Sequence, residues 1–423
     1  MLYITKELDP EIRDKVVEKT AEIIRDQYAL PEIGKKISDL LQEKLDGGRY
    51  SAFHTVSEFC SALRYDLQDI SQDLHLGVFH LPATAAKLRD TSPDDADPDW
   101  WYNRHRVMNH GLVKAEYMAG NVGYLDIQLF APLYDAKDIA IQMMNYISNC
   151  EALIIDLRNN GGGDRHIVQL IESYFFEGES KLLLTLYNRP SDTYEQIRTI
   201  PQLPGKPMPT IPIYILTSKR TFSGGEDFAY TLKHHSRALI VGESTGGGAH
   251  TVDQKLVYDD FVIVIPTGYA IHPETKANWE GTGVEPDIAV PHEQALGAAH
   301  IHAIETLIAQ TSDEERARRL KWKLERLKAI YNPIDVPKEI LSQHVGTYRE
   351  YYVAFRSNAL SIFSHKDKRI QWDLYPISRV LYGIKNDDEY NVQFEIEESG
   401  KAAALVFLHW SRDEGTPISR TDD

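Results

Sequence analysis

The sequence predicts an α/β core flanked by an N-terminal helical bundle and a small all-β C-terminal domain. Three observations carry that prediction. Apolar residues recur three and four apart through the first seventy or so positions, short apolar runs then alternate with helical patterns, and after Pro337 only short strand-like segments remain. A chain of 423 residues with 42% hydrophobic content has room for two or three such domains.

Residues 10–72 read as helical. Ile12, Val16, Val17, Ala21 and Ile24 fall on one face, and Ile33, Ile37, Leu40, Leu41 and Leu45 fall on another. Gly47-Gly48 interrupts the pattern, and Ser57 to Leu67 resumes it. The polar stretch from Asp90 to Arg106 reads as a long loop. Gly120-Asn-Val-Gly-Tyr-Leu-Asp-Ile then enters a strand, followed by a helix near 135–149 and the apolar strand starting at Ala152. Three glycines (161–163) lead to a helix near 164–176. The strands Leu182–Tyr187 and Ile211–Thr217, a helix over 224–235, the strand Ala238–Gly242 and a hairpin near 252–265 complete the core. Such alternation predicts a mostly parallel sheet. A charged helix spans 300–331, and Pro333 and Pro337 mark a linker. Seven short alternating segments follow at intervals of roughly ten residues, the pattern of a small antiparallel barrel or sandwich. The expected domains are therefore 1–80, 81–332 and 337–423.

Charge and cysteine usage narrow the function classes. A net charge of −17 argues against nucleic acid or an anionic membrane as partner. No apolar run approaches the roughly 20 residues that cross a bilayer. The N-terminus lacks the apolar core of a secretory signal, so a cytoplasmic location is expected unless a leader has been removed. Cys60 and Cys150 form no CxxC or His/Cys cluster, so neither a metal site nor a disulfide framework is expected, and two separate buried thiols are.

Four motifs carry chemistry. Ser223 lies between a strand and a helix and is followed by two glycines. A serine there can be a nucleophile with the next backbone N–H open to an oxyanion, while Glu226 three residues on makes a helix-capping box the local favourite. The run Asp156-Leu-Arg-Asn-Asn-Gly-Gly-Gly163 offers free N–H groups to an anion, or simply a tight turn. Glu280 can orient a histidine or stand exposed in its loop, and His75, in Ser71-Gln-Asp-Leu-His, can be a base or a structural histidine.

Together with Gly-Asn-Val-Gly-Tyr-Leu, these blocks in this order resemble the tail-specific (C-terminal processing) serine peptidase family. The likeness is strongest to the branch holding interphotoreceptor retinoid-binding protein and the tricorn protease core. It covers roughly residues 20–295, including the helical stretch from Leu30 to His75. It implies a crotonase/ClpP-like mixed sheet, no cofactor, and a peptide or unfolded-protein substrate cleaved through an acyl-enzyme. Ser223 falls on the nucleophile, and Gly224 with Gly161 or Gly162 falls on the oxyanion hole. The lysine of the dyad branch is missing: Glu243-Ser-Thr-Gly-Gly-Gly-Ala-His250 has glycine there, although Lys255 lies downstream. The resemblance then points to His75 as base with Glu280 orienting it, and His250 as the rival base. About forty-five residues separate His75 from Gly120, too few for the PDZ domain many relatives carry. An apolar-ligand carrier of retinoid or fatty acid with a vestigial serine is the alternative function. The sequence is silent on oligomeric state.

Overall fold

The computed structural model describes residues 6–89, 105–356, 358–367, 369–412 and 414–421. Most of the loop expected at 90–106 lies outside them. The chain packs as two compact units, residues 1–116 with 123–292, and residues 117–122 with 293–423.

The first unit begins with three helices, α1 (Pro10–Gln27), α2 (Pro31–Asp46) and α3 (Val56–Ser71). Proline starts the first two, where its missing N–H costs nothing, and the Asp9 carboxylate and the Thr55 hydroxyl cap α1 and α3. Their apolar stripes bury Val16, Ile24, Ile37, Leu41, Phe59 and Leu63 against Phe261, Ile263 and Ile265. The fully buried side of α3 carries one charge. Asp66 accepts from Arg49 Nε and Nη2 at 2.8 and 3.0 Å, from Lys44 at 2.7 Å and from the Tyr50 hydroxyl at 3.0 Å.

Beyond α3 come β1 (Gly77–His80), α4 (Pro82–Arg89), β2 (Leu112–Met118), β3 (Val122–Ile127), α5 (Leu133–Tyr146), β4 (Ala152–Asp156), α6 (Arg165–Ser173), β5 (Leu182–Asn188) and β6 (Thr193–Arg198). The unit then runs through β7 (Ile213–Thr217), α7 (Gly224–His234), β8 (Leu239–Gly242), β9 (His250–Tyr258), β10 (Phe261–Ile271) and β11 (Ile288–Ala289). Two sheets result. One has the order β11-β8-β7-β4-β3-β2, with β4, β7, β8 and β11 parallel. The other has the order β1-β10-β5-β6, with β9 also on β10, and is antiparallel throughout. The expected mostly parallel sheet therefore holds for only one of the two. The β9–β10 hairpin recruits β1 and β5 rather than joining the parallel strands, and β5–β6 is itself a hairpin. Strands β4 and β7 are buried along their whole length, as strands covered on both faces must be.

The second unit holds α8 (Ala295–Gln310), α9 (Glu314–Tyr331), α10 (Lys338–His344) and an antiparallel meander, β12 (Gly346–Tyr348), β13 (Tyr351–Arg356), β14 (Ala359–Ser364), β15 (Gln371–Pro376), β16 (Leu381–Ile384), β17 (Tyr390–Ile396), β18 (Ala402–His409) and β19 (Pro417–Ser419). Thr421 N–H donates to Thr347 O, drawing the last strand back towards the first. The single helix expected over 300–331 is two, because Asp313 caps a new one by accepting from Glu315 and Arg316 N–H. Buried Arg326 satisfies its guanidinium on the carbonyls of Ile384, Asp387 and Tyr390 and on Asn391 Oδ1. Both cysteines are free thiols, Cys150 buried and Cys60 half-buried.

Asp66 yields a pH prediction. Burial pushes its carboxyl up, but the hydrogen bonds from Arg49, Lys44 and Tyr50 outweigh that and hold it below its ordinary value. A depressed carboxyl stabilises fully above its unfolded value of about 4 and loses that contribution as pH falls through the folded value. Asp66→Asn should therefore cost roughly 1–3 kcal/mol at pH 7, and the difference from wild type should shrink in urea melts at pH 3. A gap that stays constant over that range would contradict the assignment.

Candidate active site

Ser223 caps α7 with φ 53° and ψ −119°, a backbone region that a residue with a Cβ adopts only under constraint. The turn is pinned from below. Thr221 and Ser218 hydroxyls donate to the carbonyls of Leu157 and Arg158, and Phe222 N–H donates to Asn160 O. Such a sharp strand-to-helix turn lifts a serine side chain clear of the sheet, as nucleophilic serines require. The predicted cap partner is present: Glu226 Oε2 accepts the Ser223 N–H at 2.9 Å.

The glycine turn at 161–163 faces this serine. A Cβ on Gly162 would lie 2.8 Å from Ser223 Cβ and 2.9 Å from Gly224 N, and one on Gly163 would lie 1.9 Å from Phe130 O. With φ of 103° and 137°, these two positions demand glycine. Gly161 faces open space, with no atom within 4 Å of its would-be Cβ. Gly224 opens α7, where a helix leaves its N–H groups unpaired. Gly162 differs from expectation, because its N–H already donates to Asn160 Oδ1 at 2.8 Å. Among the described residues, the Gly224 and Gly161 N–H groups are not committed in this way.

His75 follows the end of α3, on a loop that Gln68 fastens by donating to the carbonyls of Leu74 and Leu76. Its ring packs on Phe222, the neighbour of Ser223, with centroids 4.5 Å apart. A Cβ on Gly248 would lie 2.3 Å from the Phe222 ring and 2.6 Å from His75 Cε1. The missing lysine thus has a steric counterpart: the imidazole occupies the space beside this glycine loop. Lys255 is on β9, where it pairs with Asp253 at 3.4 Å.

Between the two histidines sits Asp73, to which the sequence reading gave no role. Its Oδ2 accepts from His250 Nδ1 at 2.6 Å and from the Tyr28 hydroxyl at 3.2 Å. Its Oδ1 accepts the His75 backbone N–H at 2.9 Å and lies 3.4 Å from His75 Nδ1, outside hydrogen-bond geometry. Burial pushes the Asp73 carboxyl up, but the His250 and His75 imidazoles outweigh this and hold it well below the usual carboxylate range. An ionised carboxylate only accepts, so His250 Nδ1 carries the proton. Burial lowers His250, while the bond to Asp73 and the charge of Glu280 raise it by more.

Glu280 is placed differently from expectation. Its Oε2 accepts the backbone N–H groups of Ala249 and His250 at 2.5 and 3.1 Å and lies 3.6 Å from His250 Nδ1. Among the described residues no hydrogen bond joins it to His75, although Asp73, His75 and Glu280 present donor atoms within 4.8 Å of one another. Burial and the charge of Asp73 raise its carboxyl. Among the described residues, the carboxylate in contact with the His75 ring is therefore that of Asp73, two residues before it on the same loop. That spacing, which lets an aspartate accept the i+2 N–H, was the sequence signal for this contact.

A serine on a strained turn, joined through its neighbour Phe222 to a cluster of imidazoles and carboxylates, is compatible with the serine hydrolase class. The chain carries a peptidase family S41 domain over residues 121–290, and residues 10–113 match the N-terminal domain of Peptidase_S41 in eukaryotic IRBP. It is 26% identical over 187 residues, 44% of this chain, to the chloroplastic carboxyl-terminal-processing peptidase 1 of Arabidopsis thaliana, and 27% identical over 182 residues, 41% of this chain, to the carboxyl-terminal-processing protease of a Picosynechococcus strain. The matched stretches are only 37% and 40% of those two relatives. Among solved structures it is similar to the tricorn protease, with TM-score 0.40 and 15% identity over 75% of this chain and 37% of that one.

The packing around Gly248 makes a test. Gly248→Ala should displace His75 or Phe222 and slow fluorophosphonate labelling of Ser223 by about 10²-fold, with the far-ultraviolet circular dichroism unchanged. Wild-type labelling rates would show that the ring positions do not matter.

Proposed function

We propose that the protein is a serine-type peptidase that hydrolyses peptides or unfolded segments through an acyl-enzyme on Ser223. The observation that carries this reading is the Ser223 turn: a strained serine packed against Gly162, with His75 packed on the adjoining Phe222.

In this reading His75 takes the Ser223 proton as the hydroxyl attacks the scissile carbonyl, and returns it to the leaving amine. Asp73 lies against His75 Nδ1 and stabilises the imidazolium that forms, while Glu280 braces the Ala249–His250 backbone and adds negative charge. The Gly224 and Gly161 N–H groups receive the oxyanion. Each such donor is worth about 10²–10³ in turnover. His250, held by Asp73 and packed edge-on to Tyr28, acts as a buttress rather than as the base. The stretch between His75 and the start of β2 at Leu112 is too short for a domain of ordinary size, which supports a peptidase without a PDZ domain.

Ser223→Ala should abolish cleavage of a denatured protein substrate and fluorophosphonate labelling while leaving the melting temperature near wild type. Full activity in that variant would end the proposal. Stoichiometric retention of a retinoid or fatty acid without any labelling of Ser223 would favour a carrier instead.

The base assignment has its own test. His75→Ala should lower kcat/KM by about 10²–10⁴-fold, and His250→Gln by much less. The reverse order would transfer the base role to His250.

A further inference from the structure

Asp73, His75 and Glu280 come from a loop after α3 and from the segment preceding β11, more than two hundred positions apart in sequence. No spacing rule could have joined them into a ligand set. In the fold each presents one donor atom within 4.8 Å of the other two, making this the one such group among the described residues.

Three features fit these atoms to a metal as well as to catalysis. The first is His75 itself, whose side chain is only 9% exposed and whose two ring nitrogens are buried without a hydrogen-bond partner. Buried polar atoms normally have partners, and among the described residues Nδ1 faces only the unaligned Asp73 carboxylate, so the ring has a lone pair available to a ligand. The second is a distance. His75 Nδ1 and Asp73 Oδ1 are 3.4 Å apart and not aligned for a hydrogen bond. Two ligands at about 2.0–2.1 Å from a tetrahedral ion are separated by roughly that amount. The third is the surrounding support. Asp73 Oδ2 is anchored by His250 Nδ1–H and the Tyr28 hydroxyl, and Glu280 Oε2 by two backbone N–H groups. Ligating carboxylates are held in this way by outer partners, which fix their orientation.

We propose that Asp73, His75 and Glu280 bind a zinc-class divalent cation that reversibly switches the serine site off. The site claim stands on its own geometry, while the switching claim rests on the peptidase reading above. One imidazole and two carboxylates with a fourth, open position suit Zn²⁺ better than Mg²⁺ or Ca²⁺, which favour all-oxygen sets. The chemistry of inhibition follows from proton counting. A neutral imidazole has one ring lone pair in its plane. With the cation on Nδ1, the ring proton must sit on Nε2, which then donates and has no lone pair for the Ser223 proton. Ser223 is not a ligand, so it should be dispensable for binding.

The test uses Zn²⁺ itself with the full chain. Isothermal titration should give one saturable site in wild type and in Ser223→Ala. Affinity should fall by at least about tenfold in Asp73→Asn, Glu280→Gln and His75→Ala, and by about tenfold in the outer-partner variant His250→Gln. Zn²⁺ should inhibit hydrolysis in the concentration range where it binds, with activity restored by EDTA. Binding that is absent, or indifferent to both Asp73→Asn and Glu280→Gln, would overturn the site even if hydrolysis is robust. Binding that follows these residues in a protein with no hydrolytic activity would uphold the site and overturn the peptidase reading and the switch with it.

Discussion

The carboxylate of Glu226 is the fastening on which the rest of the site depends. It is fully buried and accepts four donors: the Ser223 N–H, the Thr245 hydroxyl, and the Gly247 and Gly248 N–H groups. All four partners donate, so it is the ionised form that satisfies them. Burial raises this carboxyl above its ordinary value, and those hydrogen bonds offset only part of the rise. The consequence is mechanical. One side chain ties the strained serine turn to the glycine loop, and that loop lies against the His75 ring. The Trp279 indole N–H donates to Gly248 O, and Gly281 N–H donates to Gly247 O, so the segment carrying Glu280 is joined to the same body. A serine held at positive φ persists only where its surroundings over-determine it, and this network does so.

A second constraint is electrostatic. Asp73, Glu280, His75 and His250 crowd two carboxylates and two imidazoles into one small volume. The lowered carboxyl of Asp73 and the raised values of His250 and Glu280 are mutual consequences of that crowding. Asp73 divides its oxygens, one toward His250 and Tyr28 and the other toward the His75 loop. In the proposed mechanism a negative charge is thereby in place before any positive charge develops on His75. Preorganisation of this kind avoids reorganisation at the moment of reaction. The N-terminal helices serve the same end, since α3 delivers the Asp73–His75 loop and its Gln68 side chain fixes the loop's path.

The elements legible in the sequence were those with strong local signals. The periodic faces of α1 and α2 and the buried run of β4 are readable because burial repeats at a fixed interval. The β9–β10 hairpin was readable too, but not the sheet it would join, since strand pairing is decided by contacts remote in sequence. The break between α8 and α9 was available in principle in Thr311-Ser-Asp313 and was overridden by the continuous charge pattern around it. At the site, Ser223 and the glycine turn were visible as motifs. Asp73 was visible only as part of Asp-x-His, and the commitment of the Gly162 N–H to Asn160 could not be read at all, because it depends on a side chain turning back into its own turn.

The most direct test of the account is a crystal structure of the protein after fluorophosphonate treatment, phosphonylated on Ser223. The account predicts a phosphonyl oxygen within hydrogen-bond distance of the Gly224 and Gly161 N–H groups, the His75 imidazole beside the Ser223 oxygen, and His250 still bound to Asp73. A structure in which the His250 ring reaches the Ser223 oxygen while His75 stays remote would contradict it.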